Sequence, residues 1–148
     1  IFWENLMNTE IFIPMFYMVL LTFTVSLIGT IVRFKNVLID KNHSGSEMMK
    51  FSLPSSATEI TKQADRNLTN LFEFPILFYA ISIVLYVTGK VDSYFVLLAY
   101  LFVGLRVAHS VYHIFINGFI GDTPLRALFW LPSLLILIWM WVRFILLI

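Results

Sequence analysis

The chain has 148 residues, of which 59% are hydrophobic and 13% are charged, and its formal net charge is +1. Soluble domains are about a quarter charged, so this composition excludes a soluble globule and indicates an integral membrane protein. The small net charge gives no sign of a nucleic-acid partner. The lack of cysteine excludes disulfides, thiolate nucleophiles and cysteine-ligated metals.

Four apolar runs are long enough to cross a bilayer as helices, which takes about 20 residues each. The predicted spans are residues 11–32, 68–88, 93–117 and 125–148. None of them shows the period-2 alternation of membrane β-strands. The sequence therefore predicts an all-α fold, with residues 1–148 forming a single domain that is an antiparallel four-helix membrane bundle.

The connections between these spans differ in kind. Residues 33–65 form a long polar connection with the irregular signals KNHSGSE and LPSS. The turn TGKVD predicts a hairpin of helices two and three, and Pro124 in NGFIGDTP suits the first turn of helix four. Basic residues mark the cytoplasmic side, so both termini are predicted to be non-cytoplasmic. Six of them lie in or beside the first connection: Arg33, Lys35, Lys41, Lys50, Lys62 and Arg66.

Polar residues share one face of the third predicted helix, around the segment RVAHSVYH (106–113). At 100° per residue they fall within an arc of about 100°, and Tyr112 lies off it. Charges in hydrocarbon cost roughly 2.5–3.5 kcal/mol each, so such a face turns to a protein interior or a wet cavity. The residues on this face are Arg106, His109, Ser110, His113 and Asn117.

The second predicted helix carries a similar stripe, with Arg66, Asn70 and Glu73 at i, i+4 and i+7. Pro75 follows two residues later and removes a backbone hydrogen bond, which can bend the helix. Hairpin geometry puts this stripe beside that of helix three, with Arg33 and Arg126 at the same depth. We therefore expect a cytoplasm-facing pocket with up to four arginines against Glu73 and, less directly, Asp65.

Structural roles compete with this interpretation. Arg33 and Arg66 lie near helix ends, where arginines often anchor a helix at the membrane surface. Asn70 and Glu73 could form a structural pair with a neighbouring arginine. On the first helix, Thr22, Ser26 and Gly29 form a small-residue face that is typical of close helix packing.

A metal site is a further alternative for His109 and His113, because zinc motifs use the i, i+4 spacing. The sequence lacks both the glutamate of HExxH and a clear third histidine, since His43 belongs to a polar loop. No metal is therefore predicted.

Three segments resemble the MAPEG family, the membrane-associated proteins of eicosanoid and glutathione metabolism: DRNLTNLFEFPILFYA (65–80), LRVAHSVYH (105–113) and TPLRALFW (123–130). The specific part is R-x-x-x-N-x-x-E with a following proline, then R-V-A-H, then a late arginine. The resemblance implies a homotrimer of four-helix bundles that binds glutathione between subunits and admits a lipophilic co-substrate from the membrane lipid. NLFEFPILFY is most similar to bacterial members, which implies the bacterial inner membrane.

By position, the resemblance implies that Arg33, Arg66, Asn70, Glu73 and Arg106 contact glutathione. We assign His109 and His113 to the same cofactor-binding site. Arg126 is expected to be catalytic by stabilising the glutathione thiolate, since a guanidinium favours thiolate over thiol. The implied activity is that of a transferase or peroxidase acting on lipophilic electrophiles.

Two departures favour an alternative, a non-catalytic membrane subunit or lipid-binding component of a larger complex. His113 replaces a family tyrosine, and Ala127 stands where the inducible prostaglandin E synthase has a serine, which argues against prostaglandin synthesis. Bulky apolar faces, expected to point outward with Trp130, Trp139 and Trp141, also favour a subunit. A transporter is disfavoured, because the chain has no repeat and no pair of broken helices.

Overall fold

The computed structural model describes residues 9–39, 44–48, 53, 57–116, 118–120 and 123–148. Lys41, His43, Lys50 and Asn117 of the sequence predictions lie outside the described residues. The elements are α1 (Phe12–Leu38), α2 (Gly45–Met48), α3 (Glu59–Glu73), α4 (Pro75–Val87), α5 (Ser93–Val111), a π-helical turn (Tyr112–Ile116), β1 (Phe119–Ile120), β2 (Thr123–Pro124) and α6 (Ala127–Leu146).

Among the described residues, four helical segments are long and apolar enough to cross a membrane: Phe12–Leu38, Glu59–Val87, Ser93–Ile116 and Ala127–Leu146. Large apolar side chains are exposed along all four of them, as expected for a surface in contact with lipid. The predicted all-α bundle is confirmed, and the chain is an integral, multi-pass membrane protein. In the described part of the chain, β structure is limited to one antiparallel pair of two-residue strands.

Helical structure extends beyond the predicted spans on both sides of the first connection. Helix α1 continues to Leu38, and helix α3 already begins at Glu59. Asn36 is buried at the end of α1, where its Nδ2 donates to Thr61 Oγ1 at 2.8 Å. The irregular connection of residues 33–65 was therefore predicted too long, because polar helical turns buried against each other escape a search for apolar runs.

The two prolines beside helix ends behave differently. The second span is interrupted at Phe74, and Pro75 opens helix α4, where its missing amide hydrogen costs nothing. The sequence predicted that Pro124 would open the fourth helix, but that helix begins at Ala127. Pro124 lies in β2, and the next amide, that of Leu125, donates to the Gly118 carbonyl at 2.9 Å, which closes the hairpin before α6 begins.

An ion pair between Asp92 and Arg143 lies at the end of the bundle opposite the cavity, the end that the sequence predicts to be non-cytoplasmic. Asp92 caps α5 by accepting from the Phe95 amide at 2.8 Å, and it accepts from Arg143 Nη2 at 2.6 Å. The Arg143 guanidinium also lies 4.2 Å from the centroid of the Phe95 ring. Partial burial opposes ionisation of Asp92, but hydrogen bonds from Arg143 and Phe95 outweigh it and hold its pKa below the ordinary value.

Candidate functional site

Arg106 lies in the centre of the bundle, between α5 and α3. Its side chain is 1% exposed, the largest of the fully buried side chains in the described residues. Nη2 donates to the Asn70 backbone carbonyl at 3.0 Å, and the guanidinium is attracted electrostatically by Glu73. A charge buried this deeply is expensive unless it is paired, so it requires a structural or functional reason.

His109, one turn further along α5, is joined to the residue that precedes α6. Its Nδ1 lies 3.0 Å from the Arg126 backbone oxygen. A carbonyl oxygen only accepts, so Nδ1 must carry the hydrogen, and in the neutral ring Nε2 presents a lone pair. The ring of His113, in the π-helical turn, meets that of His109 edge-on with centroids 5.5 Å apart.

An open cavity of about 190 Å³, which both polar and apolar side chains line, lies beside these two imidazoles. Four of its lining residues belong to the predicted site, and they come from α3, α5, the π-helical turn and the residue before α6. The full lining consists of Asn70, His109, His113, Pro124, Arg126, Ala127 and Trp130.

Three guanidinium groups converge at this level of the bundle. Arg66, Arg106 and Arg126 all lie close enough to His113 to act on it electrostatically. They come from three different elements, so the convergence is a property of the fold. Arg126 lines the cavity, whereas Arg66 and Arg106 do not. Several guanidinium groups at one level of the bundle suit a ligand with carboxylates or a thiolate.

Other residues of the predicted site lie elsewhere. Arg66 and Glu73 are exposed in the single chain and do not line the cavity. Arg33 is hydrogen-bonded to the carboxylate of Asp65 on α3, and neither residue lines the cavity. The expected role of Asp65 as a pocket carboxylate is replaced by this ion pair between α1 and α3.

Several buried polar atoms have no hydrogen-bond partner within the described chain: Asn67 Nδ2, Arg106 Nε, His109 Nε2 and His113 Nδ1. Of these residues, His109 and His113 line the cavity. Leaving such a group unpaired costs about 1–3 kcal/mol. The guanidinium and amide nitrogens are donors, whereas Nε2 of neutral His109 is an acceptor. A ligand that carries both acceptors and donors would complement this set.

Sequence reasoning missed Asn67 and misplaced Trp130. Asn67 is fully buried, and its Oδ1 accepts from Ser110 Oγ at 3.4 Å. Trp130, expected to face outward, lines the cavity and packs edge-on against Phe74 with ring centroids 5.4 Å apart. Its spacing of four residues from Arg126 puts both on one helix face, a signal that could have identified it.

The described residues contain no group of three or more histidine, aspartate or glutamate side chains that could hold a metal ion. Tyr112 lies off the polar face, as predicted, and its ring packs 4.9 Å from that of Phe129. The polar side chains that line the cavity are those of Asn70, His109, His113, Arg126 and Trp130, which supply amide, imidazole, guanidinium and indole groups.

Comparison with known proteins agrees with this architecture. A model of the MAPEG family matches residues 11–146, which is nearly the whole chain. No curated protein and no solved structure matches the chain. On the extent of that match, the protein is a member of the MAPEG family.

Proposed function

We propose that the chain is a membrane-bound, glutathione-dependent transferase or peroxidase that acts on lipophilic electrophiles. The observation that carries this proposal is the convergence of Arg66, Arg106 and Arg126 at the level of the open cavity that Asn70, His109 and His113 line. Glutathione has two carboxylates, an ammonium group and a thiol. Those groups complement guanidinium donors, the Glu73 carboxylate and the unpaired buried atoms on α3 and α5.

The roles of individual residues follow from position and chemistry. Arg66 and Arg106 would pair with carboxylates, and Glu73 with the ammonium group. Arg126, at the cavity wall, would stand beside the thiol and favour its deprotonated form. When bound, glutathione supplies a nucleophilic thiolate for attack on an electrophile dissolved in the bilayer.

The size of the cavity supports an assembly of several copies. About 190 Å³ is below the roughly 300–1,000 Å³ typical of ligand pockets. Arg66 and Glu73 are exposed in the single chain, although family resemblance assigns both to the glutathione site. We propose that a neighbouring subunit of a homotrimer covers them and completes the pocket.

The proposed placement in the membrane follows from the distribution of basic residues. Arg33, Lys35, Lys62 and Arg66 lie at the end of the bundle that carries the cavity, which is the cytoplasmic end by the positive-inside rule. Both termini would then lie on the non-cytoplasmic side of a bacterial inner membrane.

The proposal is tested by calorimetry on the protein in lipid nanodiscs, with glutathione and S-methylglutathione as ligands. We expect both to bind, and we expect the ultraviolet absorbance of a thiolate only with glutathione. Arg126→Leu should retain binding of S-methylglutathione and lose the thiolate absorbance. An absence of binding heat at millimolar glutathione would reject the proposal.

The second candidate is a non-catalytic membrane subunit or a lipid-binding component of a larger complex. Ala127 favours it, because this cavity-lining residue has no side-chain group able to act on a substrate. Purification in a mild detergent distinguishes the two. A free homotrimer supports the enzyme, whereas constant co-purification with other polypeptides supports the subunit.

A further inference from the structure

A hydrogen bond joins His109 to Arg126 across the wall of the cavity. His109 lies on α5, and Arg126, 17 positions later in the chain, is the residue before α6. The imidazole Nδ1 donates to the Arg126 backbone oxygen at 3.0 Å, and both residues line the cavity. The bond therefore holds the backbone of Arg126 and does not use its guanidinium group.

The backbone around Arg126 is held on both sides. Its carbonyl also accepts from the Phe129 amide at 3.2 Å and the Trp130 amide at 3.1 Å, where α6 begins. One residue before it, the Leu125 amide donates to the Gly118 carbonyl at 2.9 Å. The hairpin thus fixes the chain before Arg126, and the α5 imidazole fixes the first turn of α6 after it. Where the Arg126 side chain starts is set by these two contacts.

The imidazole that makes this bond is itself fixed. His109 is 3% exposed, and the ring of His113 meets it edge-on with centroids 5.5 Å apart. A buried hydrogen bond is stronger than one at the surface, because its surroundings have a lower dielectric constant. The position of α5 is therefore passed on to the start of α6.

Two other roles for His109 use different chemistry. Arg106 and Arg126 both lie close enough to act on the imidazole electrostatically. Taking up the thiol proton would add a further positive charge beside them, which is unfavourable because like charges repel. Nε2, which has no hydrogen-bond partner in the described chain, could instead contact a ligand directly. Holding Arg126 uses Nδ1, so substitutions that preserve one nitrogen at a time separate these two roles.

We propose that His109 is a positioning residue, which holds the Arg126 backbone through Nδ1 and thereby keeps the guanidinium beside the bound thiol. This inference rests on the proposed function, in which Arg126 favours the thiolate of glutathione. The thiol proton passes to water, and the guanidinium stabilises the negative charge left on sulfur. A cation within about 4–6 Å of an acidic group lowers its pKa by about 1–3. Displacement of Arg126 therefore raises the pKa of the bound thiol again.

The experiment measures the ultraviolet absorbance of the thiolate against pH, with glutathione bound to the full chain in lipid nanodiscs. His109→Asn places an amide nitrogen at the position of Nδ1 and retains the bond to the Arg126 carbonyl. His109→Gln places its amide near Nε2 and loses that bond. Calorimetry with S-methylglutathione identifies variants whose site still forms. The same pair of substitutions at His113, whose Nδ1 has no partner in the described chain, is the matched control.

We expect His109→Asn to keep the wild-type pH of half-maximal absorbance and His109→Gln to raise that pH by about 1–3. The two substitutions of His113 should not show this order. A positioning residue acts only through its partner. His109→Gln combined with Arg126→Leu should therefore give the same half-maximal pH as Arg126→Leu alone. Nitrogen NMR of isotope-labelled histidine in the wild type, which needs no variant, should show His109 with its hydrogen on Nδ1.

Three results would overturn the inference and leave the proposed function standing. The first is an equal or larger effect of His109→Asn, which would assign a direct contact to Nε2. The second is a half-maximal pH of the double variant above that of Arg126→Leu alone. The third is a His109 hydrogen on Nε2 in the wild type. An absence of bound thiolate in the wild type would instead reject the proposed function, and this inference with it.

Discussion

Replacing Arg106 with methionine tests whether this arginine serves ligand binding or the stability of the fold. The guanidinium is 1% exposed, and the desolvation of a buried ion costs several kcal/mol. Among the described residues it makes one hydrogen bond, to the Asn70 carbonyl, and this bond contributes about 1.5–3 kcal/mol to the free energy of unfolding. Glu73, whose carboxylate attracts the Arg106 guanidinium, is exposed to solvent. Removing Arg106 therefore leaves no buried carboxylate without a partner.

We therefore expect Arg106→Met to be as stable as wild type or more so, with Tm rising by about 2–4 °C per kcal/mol gained. Loss of a buried charge pair with the ligand should cost at least about 2 kcal/mol, which is a roughly 30-fold weaker Kd for glutathione. Thermal unfolding and calorimetry in nanodiscs measure the two quantities.

Arg143→Met is the matched control, because it removes a partly buried arginine from the opposite end of the bundle. This substitution breaks the ion pair with Asp92 and should lower Tm while leaving glutathione binding unchanged. The reasoning is refuted if Arg106→Met lowers Tm by several degrees and the protein that remains folded binds glutathione with wild-type affinity.

Three further predictions concern single side chains. His109→Asn keeps an amide near the position of Nδ1 and should stay hydrogen-bonded to the Arg126 carbonyl. His109→Gln loses that bond, so its Kd for glutathione by calorimetry should rise about tenfold more, and equal losses would contradict a positioning role. Glutathione should change the tryptophan fluorescence of wild type and of Trp139→Phe but not of Trp130→Phe, because Trp130 lines the cavity. Since the pKa of Asp92 is lower in the folded chain than its ordinary value of 3.8, its pair with Arg143 stabilises the fold above about pH 4. That contribution is lost as the pH falls through the pKa of Asp92 in the folded chain. The Tm difference between wild type and Arg143→Gln should therefore shrink on acidification, and a difference that stays constant would disprove this role of the pair.

Hydropathy predicted that the four spans exist, but it could not predict where they end. The last turns of α1 and the first turns of α3 are polar, and their stability comes from contacts across sequence, such as Asn36 with Thr61. A hydropathy average over consecutive residues cannot detect such contacts, because the two partners lie far apart in the sequence. The position of Pro124 likewise depends on a bond from Leu125 back to Gly118.

Helical spacing predicted much of the candidate site, because residues on one face stay together whatever surrounds them. Asn70, His109, His113 and Arg126 line one cavity as a result. Spacing does not reveal how each helix is rotated against its neighbours. For that reason the exposure of Glu73 emerged only from the structure. The inward position of Trp130 could have been inferred from its four-residue spacing to Arg126, once Arg126 was assigned to the site.

The interruption at Phe74 divides the second span into two helices that are held by different contacts. Helix α3 is tied to α1 by Arg33 with Asp65 and by Asn36 with Thr61. Beyond Pro75, the outer half packs instead into the apolar centre, where Phe78 stacks on Phe102. Asn70 at the cavity is therefore positioned by the half of the span that α1 holds through polar contacts, whereas the outer half is fixed by the apolar core.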